Sequence, residues 1–179
     1  GDGVVEFGSE DDLAVLGNPI PDMTLGFNLN MDYKGIDFAA SLYASVGNKA
    51  VRSYERFLTY SNKSRLYLDR WTGEGTSNTT PRASTNASNN YLFSDFFVED
   101  ASFLRIQNVQ LGYSIPSSTL EKIKMDKVRV YVAANNLYTF TKYSGYNPDV
   151  SNANPAAAGV DLGQYPQTRT YTLGINVSF

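Results

Sequence analysis

Five stretches of the chain alternate apolar and polar residues with a period of two, the pattern of a strand that shows one face to an apolar medium. Met23, Leu25, Phe27, Leu29, Met31 and Tyr33 alternate with Thr24, Gly26, Asn28, Asn30 and Asp32. After Lys34-Gly35 the pattern resumes as Ile36, Phe38, Ala40, Leu42, Ala44 and Val46. A two-residue connection ending in Gly suits a tight hairpin turn. It also leaves Tyr33 and Ile36 on one face, so turn and register agree. Each arm is about eleven residues, roughly twice a usual strand and about what a tilted membrane-spanning strand needs. A third strand is predicted from Phe103 to Ile115, with Val109, Leu111, Tyr113 and Ile115 on its apolar face. Leu104 and Ile106 fall out of parity with them, which predicts a bulge near Gln107-Asn108. The fourth carries Val128, Val130, Val132 and Ala134 and runs on to Phe140. The last places Tyr171, Leu173, Ile175, Val177 and Phe179 opposite Thr170, Thr172, Gly174, Asn176 and Ser178.

These runs divide the chain into a lead-in loop (1–22), a hairpin (23–46), a long loop (47–102), a strand pair (103–140), a second long loop (141–167) and a closing strand (168–179). In the lead-in, Glu10-Asp11-Asp12 reads as a solvated turn, and Pro19 and Pro21 enforce an extended bend. Ala50–Tyr60 is expected to form a short amphipathic helix through Val51, Tyr54, Phe57 and Leu58. After Pro116, Ser118-x-x-Glu121 reads as a capping box for one helical turn, with Leu120 and Ile123 packing inward. Short and long connections alternate, as they do in membrane barrels with short periplasmic turns and long outer loops. With Phe179 at the periplasmic rim, Lys34-Gly35 and the 116–126 turn share that rim, and both long loops lie outside. The expected fold is all-β: antiparallel up-and-down strands forming about five strands of a large barrel.

Composition narrows the chemistry. His and Cys are both absent, which removes Ser-His-Asp and Cys-His nucleophiles, Cys- or His-ligated zinc and any disulfide framework. A hydrolase would need a carboxylate pair, and Glu99-Asp100 diverge on an extended chain. No catalytic residue, metal site or cofactor is assigned. Fifteen basic against eighteen acidic residues give a net charge of −3, with no footprint for nucleic acid. No apolar run approaches the roughly 18 residues of a membrane helix. The alternative to a membrane wall is a soluble β-sandwich or barrel that binds carbohydrate, its apolar faces meeting each other. Such a fold should carry many charges on its far faces. Here Thr24, Asn28, Asn30, Ser41, Ser45, Gln110, Ser114, Thr172, Asn176 and Ser178 are neutral, which favours a lumen.

Several blocks carry a family likeness. They are Asp12-Leu13-Ala14-Val15-Leu16-Gly17-Asn18-Pro19 leading to Gly26-Phe27-Asn28-Leu29, Asp69-Arg70-Trp71-Thr72, and Glu99-Asp100-Ala101-Ser102-Phe103-Leu104-Arg105-Ile106. Asn108-Val109-Gln110-Leu111-Gly112-Tyr113, Arg129-Val130-Tyr131-Val132 with Asn135-Asn136-Leu137-Tyr138-Thr139-Phe140-Thr141-Lys142-Tyr143-Ser144-Gly145-Tyr146-Asn147-Pro148, and Tyr165-Pro166-Gln167-Thr168-Arg169-Thr170-Tyr171 complete the set. In this order they resemble the C-terminal part of SusC/RagA-type TonB-dependent outer-membrane transporters, from about residue 10 onward. Thr172-x-Gly174-x-x-Val177-x-Phe179 is similar to the barrel-assembly signal of outer-membrane proteins. The family's members are plugged barrels of about 22 strands, so this chain is expected to be a fragment without the plug. Five strands cannot close a lumen, and two free edges with an apolar face predict oligomerisation or detergent dependence.

The resemblance implies uptake of a glycan or peptide across the bacterial outer membrane, not an enzyme. It also implies a SusD-like surface lipoprotein as lid, contact with outer-membrane lipid, and energy from TonB through the plug. The candidate contacts for an oligosaccharide or peptide are loop aromatics and their polar neighbours: Tyr67, Asp69, Arg70, Trp71, Tyr143, Tyr146 and Asp149. Aromatic faces stack on sugar rings, and charged groups hydrogen-bond hydroxyls or peptide groups. The competing reading for the same residues is a rim girdle and internal bracing of loops.

Overall fold

The computed structural model describes residues 13–54, 65–83, 93–121, 124–150, 152 and 154–179. Lys34 and Gly35 both take positive φ, 47° and 83°, the geometry a two-residue hairpin turn requires. They join β1 (Met23–Tyr33) to β2 (Ile36–Val46), paired in register from Tyr33–Ile36 to Met23–Val46. Next come β3 (Lys49–Arg52), β4 (Val98–Asp100), β5 (Phe103–Ser114) and a single helical turn, α1 (Ser117–Leu120). β6 (Lys127–Thr141), β7 (Val160–Asp161) and β8 (Thr170–Ser178) complete the chain. Five of these strands form one antiparallel up-and-down sheet in the order β1-β2-β5-β6-β8. β3, β4 and β7 form a second, smaller sheet.

The expected bulge is present, and it explains the broken parity. Ser41 pairs with Asn108 but Leu42 pairs with Ile106, so Gln107 is the extra residue. Leu104 and Ile106 thereby rejoin the face of Val109, Leu111 and Tyr113. On β6 the same level holds two extra residues: Asn108 pairs with Asn135 and Ile106 with Tyr138. Asn136 supplies the turn there with a φ of 50°, a left-handed conformation that Asn tolerates better than most residues.

One face of the five-stranded sheet is apolar throughout and carries no charge. Most of its large side chains stay open: Phe27 is 58% exposed, Leu25 51% and Leu173 74%. Among the described residues no second sheet covers this face, which a β-sandwich would require. The strand charges Asp32, Asp37, Arg105, Lys127 and Arg129 all lie on the other face. There Arg129 reaches across β5 to form a salt bridge with Asp37. The route passes over Gly112, where a Cβ would collide with both partners. Tyr131 covers Gly174 in the same way, so ring and bare backbone fit as a cross-strand pair.

Two expectations need correction. Ala50–Arg52 lie in β3 and not in a helix, because their backbone groups pair with β4 and β7; residues 55–60, including Phe57 and Leu58, lie outside the described residues. The capping box does not form. Pro116 occupies the N-cap and no side chain caps the turn, since Ser118 sits inside it. Leu120 is buried as expected, whereas Ile123 and the Glu10-Asp11-Asp12 triplet lie outside the described residues.

Candidate functional site

Among the described residues, a buried cluster lies beside the five-stranded sheet, where the lead-in and both long loops meet. β3 takes β4 on one side, Lys49 opposite Asp100, and β7 in parallel on the other, Val51 opposite Val160. The backbone NH of Lys49 donates to Asn18 O at 2.8 Å, and that of Val51 to Gly159 O at 2.8 Å. Three segments distant in sequence are thus hydrogen-bonded into one platform around Ala50, Ala101 and Tyr143. At its edge, Ser102 donates to Asp100 and holds that carboxyl below the ordinary range.

Two polar networks tie the platform together. Arg52, buried in β3, contacts Glu99 of β4 at 2.6 Å and donates to Phe96 O at 3.0 Å. Glu99 also accepts from the NH and Oγ of Ser144, both at 2.8 Å, which ties the first long loop to the second. In the other network the Tyr143 hydroxyl donates to Asp161 Oδ2 at 2.7 Å. Asp161 Oδ1 accepts from the backbone NH of Gly163 and Gln164. A buried carboxylate is tolerable because its oxygens are satisfied in this way.

Burial and the adjacent Asp161 carboxylate push the Tyr143 hydroxyl above its ordinary value of 10.0. The folded state therefore favours the protonated phenol. That contribution is complete below the unfolded-state value and is lost as pH rises above it. Limited proteolysis of the detergent-solubilised full-length protein should show these loops opening above about pH 10. Tyr143→Phe, which has no proton to lose, should lack that alkaline step, although its loops are cut faster at neutral pH.

The sequence-selected residues separate by location. Tyr143 is interior, with its hydroxyl committed. Tyr146 is 73% exposed, and Asp149 binds Arg105 at 3.3 Å. Tyr67 and Asp69 lie on a 3-10 turn, Arg65–Asp69, whose Tyr67 carbonyl accepts from Arg70 at 2.9 Å. Trp71, 41% exposed, bonds through its backbone NH to Thr80 O and borders a depression with Thr79, Pro81 and Arg82. Tyr146 borders a different cavity, with Arg105, Thr139, Gln167 and Arg169. Arg105 was not among the expected contacts. It is the only charge that β5 (Phe103–Ser114) carries, and that isolation was its signal. Among the described residues no group of three Asp or Glu is placed to hold a metal. Of the assembly-signal residues, Thr172, Gly174 and Val177 lie in β8, paired with β6, and Phe179 follows it, 83% exposed.

No protein-family model matches the chain. Individual relatives do. TonB-dependent receptor P3 of Formosa agariphila is 32% identical over 179 residues, covering 96% of this chain and 18% of the receptor. TonB-dependent receptor SusC of Bacteroides thetaiotaomicron is 32% identical over 184 residues, covering 100% of this chain and 17% of SusC. A chain of the RagAB peptide importer in its 'closed-closed' state superposes with a TM-score of 0.72 at 31% identity, over 92% of this chain and 18% of that one. This chain belongs with the TonB-dependent receptors of the SusC/RagA kind. It spans less than a fifth of the length of these relatives. Within this family, its open up-and-down sheet has the fold of part of an outer-membrane barrel.

Proposed function

We propose that this chain forms wall and outer loops of an importer in the bacterial outer membrane, moving oligosaccharides or peptides. One observation carries the reading. Across five strands every side chain on one face is uncharged, and every strand charge lies on the other. β1 and β2 are 11 residues each, enough to cross the hydrocarbon when tilted. In this reading the apolar face meets lipid, the polar face lines the lumen, and the loop platform stands outside. A SusD-like surface lipoprotein covers that platform, and TonB acts through a plug supplied by another part of the protein. Trp71 and Tyr146 offer stacking faces to a sugar or peptide, with Tyr67, Asp69, Arg70 and Asp149 alongside as polar neighbours. Tyr143 serves as a brace.

Uptake of labelled oligosaccharides and peptides by cells carrying the full-length transporter tests this. Uptake should require TonB. The double variant Trp71→Ala/Tyr146→Ala should lower it about tenfold, the size expected for losing two stacking contacts, with unchanged receptor in the membrane. Uptake that is equal in cells lacking TonB would overturn the importer reading.

A further inference from the structure

The cavity beside Tyr146 is polar and about 230 Å3 in volume. It lies between the outer part of β6, the Gly145–Pro148 loop and the Pro166–Arg169 stretch. Arg105 and Arg169 are both among its lining residues, and no acidic residue is. The Arg105 side chain is 4% exposed. It donates to Thr139 Oγ1 at 3.1 Å, Asn147 Oδ1 at 2.9 Å and Asp149 Oδ2 at 3.3 Å. That uses three of the five donors of a guanidinium. Arg169 is exposed and stands 5.9 Å from the centre of the Tyr138 ring. Among the described residues no carboxylate pairs with Arg169. Asp149, which pairs with Arg105, is not among the lining residues, so the residues around the cavity carry two cations against one neighbouring anion.

We infer that this cavity binds an oxyanion, a carboxylate or sulfate, carried on one end of the imported solute. The inference rests on the importer reading and adds a substrate class to it. A guanidinium with spare donors recognises planar or tetrahedral oxyanions through charge-assisted hydrogen bonds. Thr139, Asn136 and Gln167 supply neutral partners around it. The volume falls below the roughly 300–1,000 Å3 of sites that enclose a whole drug-sized ligand. The cavity therefore takes a terminal group, while the rest of the solute runs past the exposed ring of Tyr146.

Modification of Arg169 by phenylglyoxal, followed by mass spectrometry on the detergent-solubilised full-length transporter, reads the site directly. The probes are a uronate-terminated oligosaccharide, a sulfated oligosaccharide and an acidic peptide, each beside its neutral counterpart. At least one anionic probe should slow modification about tenfold, the size of one charge-assisted hydrogen bond, and its neutral counterpart should not. The probe that protects identifies the source of the oxyanion. Arg169→Gln, at an exposed position, should abolish the preference for that anionic probe in direct binding and leave the neutral counterpart unaffected. No protection by any probe, or equal protection by charged and neutral forms, would overturn the inference. TonB-dependent uptake in the same cells reports on the importer separately. Uptake without anion protection removes the oxyanion site alone, and uptake without TonB dependence removes the importer reading.

Discussion

Val109→Lys should remove the folded receptor from the outer membrane, whereas Gln110→Lys, one residue along, should leave it in place. The two positions are neighbours in β5 and point to opposite faces. Val109 lies between Ala40 of β2 and Ala134 of β6, near the middle of the apolar face. Gln110 lies between Ala39 and Ala133 on the polar face. A lysine facing lipid at mid-depth costs about 2–4 kcal/mol, and the cost falls toward the interfaces. A lysine facing a water-filled lumen avoids that cost. Flanking alanines give the new side chain room in either position, so packing does not separate the two variants. The amount of heat-modifiable receptor in outer-membrane fractions measures the difference. Equal loss for both variants would mean that the two faces are not chemically distinct.

Arg52→Met should unfasten the loop platform while the wall stays assembled. Met keeps an apolar stem of similar length, so the variant isolates the loss of the guanidinium. Glu99 then loses its Arg52 partner while keeping the two donors of Ser144, and the Phe96 carbonyl loses the Arg52 donor. Removing the buried cation of an ion pair costs about 3 kcal/mol. In hydrogen exchange that corresponds to opening roughly 100-fold more often. The amides of Val51 and Ser53, which donate to Gly159 O and Asp161 O, report it directly. Unchanged protection there would show that the pair is decorative and that the backbone pairing alone holds the loops.

The wall was legible in the sequence, and the platform was not. Strands of nine residues or more repeat their period several times, and an uncharged face shared by five of them is hard to produce otherwise. The bulge at Gln107 was visible because one extra residue inverts parity. Its neighbour on β6 was hidden because Asn136 and Leu137 add two, which restores parity. β3, β4 and β7 hold four, three and two residues, too few to show a period, and their partners are distant in sequence. Val51, Tyr54, Phe57 and Leu58 have helical spacing, yet Val51 is a strand residue because tertiary pairing outweighs local propensity.

The candidate contacts divided along the same line. Trp71 and Tyr146 keep exposed rings. Tyr143 has the same residue type and loop address, but only the fold shows its hydroxyl turned inward to Asp161. Arg105 and Arg169 come to one cavity from β5 and from the approach to β8, a convergence that depends on β6 lying between those strands.

Topology in living cells tests the account most directly. The chain contains no cysteine, so, with any cysteine elsewhere in the receptor replaced, single cysteines can be placed at the exposed Tyr165 in the second long loop and at Lys34 in the short turn. In intact cells a membrane-impermeant maleimide should label position 165 of the full-length receptor and leave position 34 untouched. Position 34 should react only once the outer membrane is permeabilised. Labelling of both positions in intact cells, or of position 34 alone, would contradict the placement of this sheet as an outer-membrane wall with its loop platform outside.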